Sequence, residues 1–254
     1  LCNEAAMAAA RGGEDKVTMR HFDDMRDRIM LGTVRTLAIQ PEEKHRLAVH
    51  EAGHVIVAHF LPEADPIYKV TIIPRGRALG VTHQLPVEER HTLPEAYLHD
   101  RIAVALGGRV AERALLGSVS SGADDDIRGA TALARAMVSR WGMSKELGPV
   151  DLRDSDEHPF LGREMAMPRH FSDAAANEVD KEVRALLLAE EARATDIVQG
   201  HRDGLDRLVA ALEREESLDR AAIESALGPV PHRQVALSPA PGADVPGARK
   251  SGAA

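Results

Sequence analysis

One cysteine, Cys2, is the only thiol in these 254 residues. No internal disulfide can form, which fits a reducing compartment. Aromatic residues make up 3% of the chain against 44% apolar residues in all, so the core has to be built from Leu, Val, Ala, Ile and Met. No run of about 18 apolar residues occurs and no signal peptide is visible, so nothing here reads as a membrane span. Basic blocks are missing as well. With a net charge of −8, the chain does not read as a nucleic-acid binder. A Gly-x-x-x-x-Gly-Lys-Ser/Thr loop is also lacking, which excludes ATP binding by that route. The length allows one large or two small domains with ample core. The chain opens at Leu1 in mid-helix pattern and reads as a piece of something longer.

What is present centres on His50-Glu51-Ala52-Gly53-His54. Two histidines four apart on a helix project from one face and can share a zinc ion through their ring nitrogens. The glutamate between them is placed to take a proton from a water that the metal makes acidic, the chemistry of a zinc peptidase. The setting suits that reading. Residues 42–60 have the apolar periodicity of a helix, with Leu47, Val49, Ala52, Val55, Ile56 and Ala58 on its inner faces. Pro41 suits the first turn and Pro62 marks the stop. Gly53 costs about 1 kcal/mol relative to alanine inside a helix. Close approach of another segment or tight packing would account for it.

The remainder reads as mainly α with a small β-sheet. Helices are expected over 1–12, closed by Gly12-Gly13, from Thr18 to Ile29 or Met30, and from Thr92, with Pro94 in the first turn, to about Leu116. Others run from Asp124 to Trp141 and over about 172–199, 203–215 and 219–227. Strands are expected at 68–74 and 79–85, joined by a turn at Arg75-Gly76-Arg77. The Pro-, Gly-, Ala- and Ser-rich stretch from 230 to 254 reads as a disordered tail.

A zinc site of this type needs a third protein ligand, and spacing leaves it open. The metzincin extension would put Gly at 57 and His at 60, where Val57 and Phe60 stand. Glu112 on the downstream helix is one candidate, and the cluster Asp124-Asp125-Asp126 is the other. Acidic residues at a helix start also have an ordinary role in capping. The remaining histidines have plain readings. His45 and His59 fall on other helix faces, and surface roles are the default for His21, His83, His91, His99, His158, His170, His201 and His232. Charges alternating over 182–220 read as a solvated face, methionines as core filler, and Trp141 as packed into the core.

Several segments together resemble the peptidase region of the FtsH family of membrane-anchored, ATP-dependent zinc proteases. They are HEAGH at 50–54, VTIIPRGRALGVT at 70–82, ALGGRVAER at 105–113, SSGADDDIRGATALARAMVSRWGMS at 120–144, LGP at 147–149 and FLGR at 160–163. The opening 1–36 resembles the last helices of the AAA+ lid that precedes that peptidase. The resemblance implies a zinc metallopeptidase domain over 37–229 with His50 and His54 as ligands and Glu51 as base. Its Gly-Ala-x-Asn-Asp-Ile segment, here Gly122 to Ile127, puts the third ligand at Asp126. Asp125 departs from the family's Asn and adds a carboxylate able to compete for the metal. Glu112 is then the alternative ligand, or orients a histidine from behind.

The resemblance further implies one Zn2+ per chain, and ATP use only through an ATPase domain missing here. It implies unfolded or membrane-extracted polypeptides as substrates, a homo-hexamer, and a place on the cytoplasmic side of a membrane reached through missing segments; the fragment itself is expected to be soluble. The strand at 79–85 is a plausible edge for an extended substrate. Two rival readings are an inactive peptidase-like ring scaffold and a zinc-stabilised adaptor with a closed four-ligand site.

Overall fold

The computed structural model describes residues 1–35, 39–74, 80–85, 91–153 and 171–231. The expected turn at 75–77, the FLGR segment and residues 232–254 of the tail lie outside them. Among the described residues, eight α-helices and three strands follow in the order α1 (Cys2–Arg11), α2 (Met19–Leu31), α3 (Pro41–Phe60), β1 (Ile67–Thr71), β2 (Val81–Gln84), α4 (Glu95–Leu116), α5 (Asp124–Ser139), α6 (Asp173–Gly200), α7 (Arg202–Glu215), β3 (Ser217–Asp219) and α8 (Arg220–Leu227). The class is mainly helical with a small sheet, as the sequence implies. No helix among these residues is long and apolar enough to cross a membrane.

The helix carrying the histidines is the centre of the molecule. Every residue of α3 from Ala48 to His59 is buried, the condition of a helix enclosed on all sides. Its Val55 and Ile56 pack with Val198 of α6, Leu205 and Leu208 of α7, and Ile223 of α8 in one core cluster. A second cluster joins Leu98, Ile102 and Leu106 of α4 to Ala134 and Met137 of α5 and Val179 and Val183 of α6. Helix α4 therefore serves both cores, and it crosses α3 at very short range. A Cβ placed on Gly53 would lie 2.4 Å from the Gly107 carbonyl oxygen, and one on Gly107 would lie 2.6 Å from that of Gly53. Close approach of another segment is thus what Gly53 permits.

The sheet has the order β2-β1-β3 and is antiparallel throughout, with Val70 facing Thr82 on one side and Leu218 on the other. Among the described residues, β2 is left with one unpaired edge. Strand β3 has no counterpart in the sequence reading, because three residues between two helices carry no period of their own. β1 stops at Thr71, short of the expected 74, though Ile72 still donates its N–H to the Glu216 carbonyl at 2.9 Å. Helix α2 reaches the sheet through an ion pair between Asp27 and Lys69, and through Arg26 lying 4.6 Å over the Tyr68 ring.

Five expectations need correction. Helix α4 starts at Glu95 with Pro94, in extended conformation, at its N-cap, so Thr92 does not cap it. α5 ends at Ser139, and Trp141 is 41% exposed rather than packed in the core. The α6 charges are not all solvated: Glu190 is buried and bonded to His99 and Arg193, and Arg193 also reaches the buried Asp100. His21 is buried, its ring accepting the Thr18 N–H at 3.1 Å in a capping box at the start of α2. Met19 and Met30 are exposed, so they are not core filler.

Candidate metal centre

Helical phase sets His50 and His54 one turn apart on the buried face of α3, their rings 4.8 Å apart and nearly perpendicular. Each ring is held by its Nδ1. His54 donates to the Val104 carbonyl of α4 at 2.8 Å, and His50 donates to Glu112 Oε1 at 2.8 Å. Both partners are acceptors only, so both Nδ1 atoms carry a proton, and each ring when neutral presents its lone pair at Nε2. The two Nε2 atoms face each other at 3.1 Å.

Asp126, at the start of α5, closes the triangle. Its Oδ2 lies 3.2 Å from His50 Nε2 and 3.4 Å from His54 Nε2. Three atoms able to donate lone pairs converge on one point, an arrangement that a proton or a metal cation completes. The spacing fits zinc. Bonds of about 2.0–2.1 Å in a tetrahedron put neighbouring donor atoms roughly 3.3 Å apart. Space for an ion is kept by Gly108, where a Cβ would lie 2.6 Å from His50 Nε2 and 2.7 Å from His54 Nε2. Among the described residues this trio is the one group of three able to hold a metal.

The charges respond to one another. Burial opposes a charged His54, but the Asp126 carboxylate, by hydrogen bond and by charge, together with Glu51, outweighs it and raises the His54 pKa to about 9. Burial likewise opposes a charged Asp126, yet the two imidazoles hold its carboxyl well below the usual carboxylate range. Metal-free, the site thus holds a proton where the lone pairs meet.

Glu51 is buried, and that burial lifts its pKa, against the pull of His54 and Thr82. Thr82 of β2 donates its hydroxyl to Glu51 Oε2 at 2.6 Å. Gly80 is glycine for a local reason: a Cβ there would stand 2.6 Å from Glu51 Oε1. The base is therefore gripped by the same strand whose free edge borders the cleft.

Glu112 stands on the far side of His50 from Asp126. It accepts from Arg46 at 2.9 Å and Ser120 at 3.0 Å as well as from His50, and these bonds hold its carboxyl low in spite of burial. Asp125 turns outward: its side chain is 81% exposed and pairs with Arg128 at 2.5 Å. The structure thus brings His50, His54, Asp126 and Glu51 together, sets Glu112 behind His50 and leaves Asp125 outside. The other histidines are elsewhere. His45 pairs with Glu213, His99 with Glu190, and His201 stacks on Phe60.

Sequence reasoning missed Thr82, Arg46, Ser120 and the Val104 carbonyl, none of which has a local signature. It also passed over Gly107-Gly108, although two glycines inside a helical run, each costing about 1 kcal/mol, signal close packing.

The sequence profile of peptidase family M41 matches residues 37–226. Among curated relatives, the ATP-dependent zinc metalloprotease FtsH of Hahella chejuensis is 64% identical over 227 residues, covering 89% of this chain and 37% of that protein. The protein of the same name from Pelobacter propionicus is 47% identical over 228 residues, 90% of this chain and 37% of its own length. That from Acidothermus cellulolyticus is 45% identical over 242 residues, or 93% and 36%. The chain spans little more than a third of the length of these relatives.

Proposed function

The chain belongs to peptidase family M41, and from that premise we propose that it is a zinc-dependent endopeptidase cutting unfolded polypeptide, with His50, His54 and Asp126 as ligands of one zinc ion and Glu51 as general base. The observation that carries this reading is the triangle of converging donor atoms from His50, His54 and Asp126 with a buried carboxylate beside it. Three protein ligands leave a fourth position, the pattern of catalytic rather than structural zinc. Zinc, when bound there, supplies an acidified water and a Lewis acid for the developing oxyanion. The residues of the chain do the rest. Glu51, held by Thr82 and made more basic by burial, accepts the water's proton and passes it to the leaving amine. Glu112 fixes the His50 tautomer and ring angle from behind.

The free edge of β2, running from Val81 to Gln84 beside Glu51, suits an extended chain added by main-chain pairing. Such pairing reads backbone more than side chain and admits only unfolded segments. Hexamer formation, ATP-driven delivery by an attached ATPase domain, and anchoring on the cytoplasmic side of a membrane are part of the same proposal for the full-length protein. The direct test is hydrolysis of labelled casein by this chain with zinc and without ATP. Cleavage that a chelator stops and zinc restores is expected. Cleavage indifferent to the chelator, or none with zinc bound, would overturn the reading.

Two predictions concern the metal. Glu112→Gln should weaken zinc binding by about 10–100-fold, and Asp126→Asn should weaken it further, while Asp125→Asn should leave it within about twofold because that carboxylate is already paired in solvent. Competition against a fluorescent zinc chelator measures all three. Uptake should also release protons. His54, raised from 6.5 to about 9, stabilises the metal-free fold fully below about pH 6.5 and loses that contribution as pH rises through about 9. At pH 7 it is charged and must discharge to bind zinc. Calorimetry in buffers of different ionisation enthalpy should show about one proton leaving per zinc, and affinity should rise about tenfold per pH unit from 7 towards 9. Proton-neutral uptake would contradict the charge state derived for His54.

A further inference from the structure

We infer that Arg101 is a specificity-determining residue that takes an acidic side chain of the substrate, two or three residues from the bond cut. The inference rests on the peptidase reading above and adds a side-chain preference to backbone-led binding.

The cleft along β2 is walled on its other side by α4, which contributes Arg101, Val104 and Ala105. Val104 holds His54 through its carbonyl, and Arg101 stands one turn earlier on the same face. A series of contacts links it to the Gln84 end of the strand. The Arg101 guanidinium lies 5.8 Å from the Tyr97 ring centroid; the Tyr97 hydroxyl donates to Asp65 Oδ2 at 2.6 Å; and the Asp65 carbonyl accepts from Gln84 Nε2 at 2.8 Å. We place Arg101 toward the Gln84 end of β2 on this link, whereas Thr82 contacts the catalytic base. Two residues of strand separate them, about 6.6 Å at 3.3 Å per residue. A substrate strand laid on β2 with its scissile bond at Glu51 would carry its second or third neighbour past Arg101.

What singles out this arginine is that, among the described residues, its guanidinium faces a ring, that of Tyr97, and forms no ion pair. The other arginine of the cleft, Arg46, is bonded to Glu112 and Ser118. Arg101 is exposed and, among the described residues, has no carboxylate partner; the adjacent Asp100 is buried and taken by Arg193. The acids that line the rest of the cleft are Glu51, Glu112 and Asp126 at the metal centre, Glu43 on α3, and Asp124 and Asp125 at the start of α5. An acidic substrate side chain is attracted where it passes Arg101, and a lysine at the same place is repelled.

The test uses fluorogenic peptides with one Glu or one Lys walked through three positions on each side of the cleaved bond, with the zinc-loaded native chain, Arg101→Gln and Arg101→Glu. At one position, two or three residues from the bond, the native chain should prefer Glu to Lys by about fivefold in kcat/KM, the scale of an exposed ion pair. The difference should lie in KM and flatten with salt. Arg101→Gln should bring the ratio near one, and Arg101→Glu should invert it by cutting the Lys peptide faster than the native chain does, a gain that general damage cannot produce. A Glu/Lys ratio identical in the three proteins at every position would overturn the inference while leaving the peptidase intact. A native chain that binds zinc and cuts none of the peptides would overturn the peptidase reading and this inference with it.

Discussion

Glu51→Gln should leave the fold and zinc affinity of this chain essentially unchanged and reduce proteolysis by about 10²–10⁴-fold, the range expected for removing a general base. The substitution is close to isosteric. The amide oxygen can still accept the Thr82 hydroxyl, which bonds Glu51 Oε2 at 2.6 Å, so the side chain should keep its place. None of the three atoms that converge on the metal position belongs to residue 51. What is lost is the lone pair that takes the proton, and because burial lifts the Glu51 pKa, that lone pair is a better base than an exposed carboxylate would offer. The loss should fall on kcat with KM little changed, since the β2 edge and cleft walls are untouched. Zinc content by elemental analysis and casein hydrolysis on the same preparation separate the two properties. A variant that keeps zinc and loses less than about threefold in kcat would move the base to another residue.

The sequence is most legible where structure is local. Residues 41–60 announce their helix by period, charge and prolines at both ends, and the two histidines with their glutamate come into register from helical geometry alone. The third ligand is not local. Asp126 lies 76 positions from His50, and nothing in spacing separates it from Glu112, which also ends up against His50 but on the opposite ring nitrogen. Only a resemblance across many segments points to Asp126. The errors have the same root. Glu190 looks like one more charge on a solvated helix, and what buries it is Asp100, Arg193 and His99 arriving from two helices. Trp141 is apolar by type, yet α5 ends two residues before it and leaves it partly in solvent. Residues whose fate depends on partners about 90 positions away carry no periodic sign of it.

Gly53→Ala should destabilise the chain by about 2 kcal/mol or more, although alanine is favoured over glycine inside a helix by about 1 kcal/mol. The added methyl has nowhere to go. It would stand 2.4 Å from the Gly107 carbonyl oxygen and 2.6 Å from the Ala111 Cβ, and the first of these is backbone, which no rotamer change can move aside. Helices α3 and α4 would have to separate. Gly107→Ala meets the mirror obstacle, the Gly53 carbonyl oxygen at 2.6 Å. Gly129 supplies the control: it lies inside α5 with nothing within 4 Å of an added Cβ, so Gly129→Ala should stabilise by about 0.5–1 kcal/mol. Urea denaturation of the metal-free proteins gives all three values. The crossing also holds the site, because α4 supplies the Val104 carbonyl to His54 and Glu112 to His50. Separation of the helices pulls both ring anchors away from α3 together, so zinc affinity should fall in Gly53→Ala even where the variant is still folded. A Gly53→Ala chain with native stability and native zinc affinity would mean that α3 and α4 adjust without moving the histidines. If the affinity drops while Gly129→Ala keeps it, the two glycines of the crossing belong to the metal centre as much as its ligands do, since their lack of side chains sets the distance at which those ligands are held.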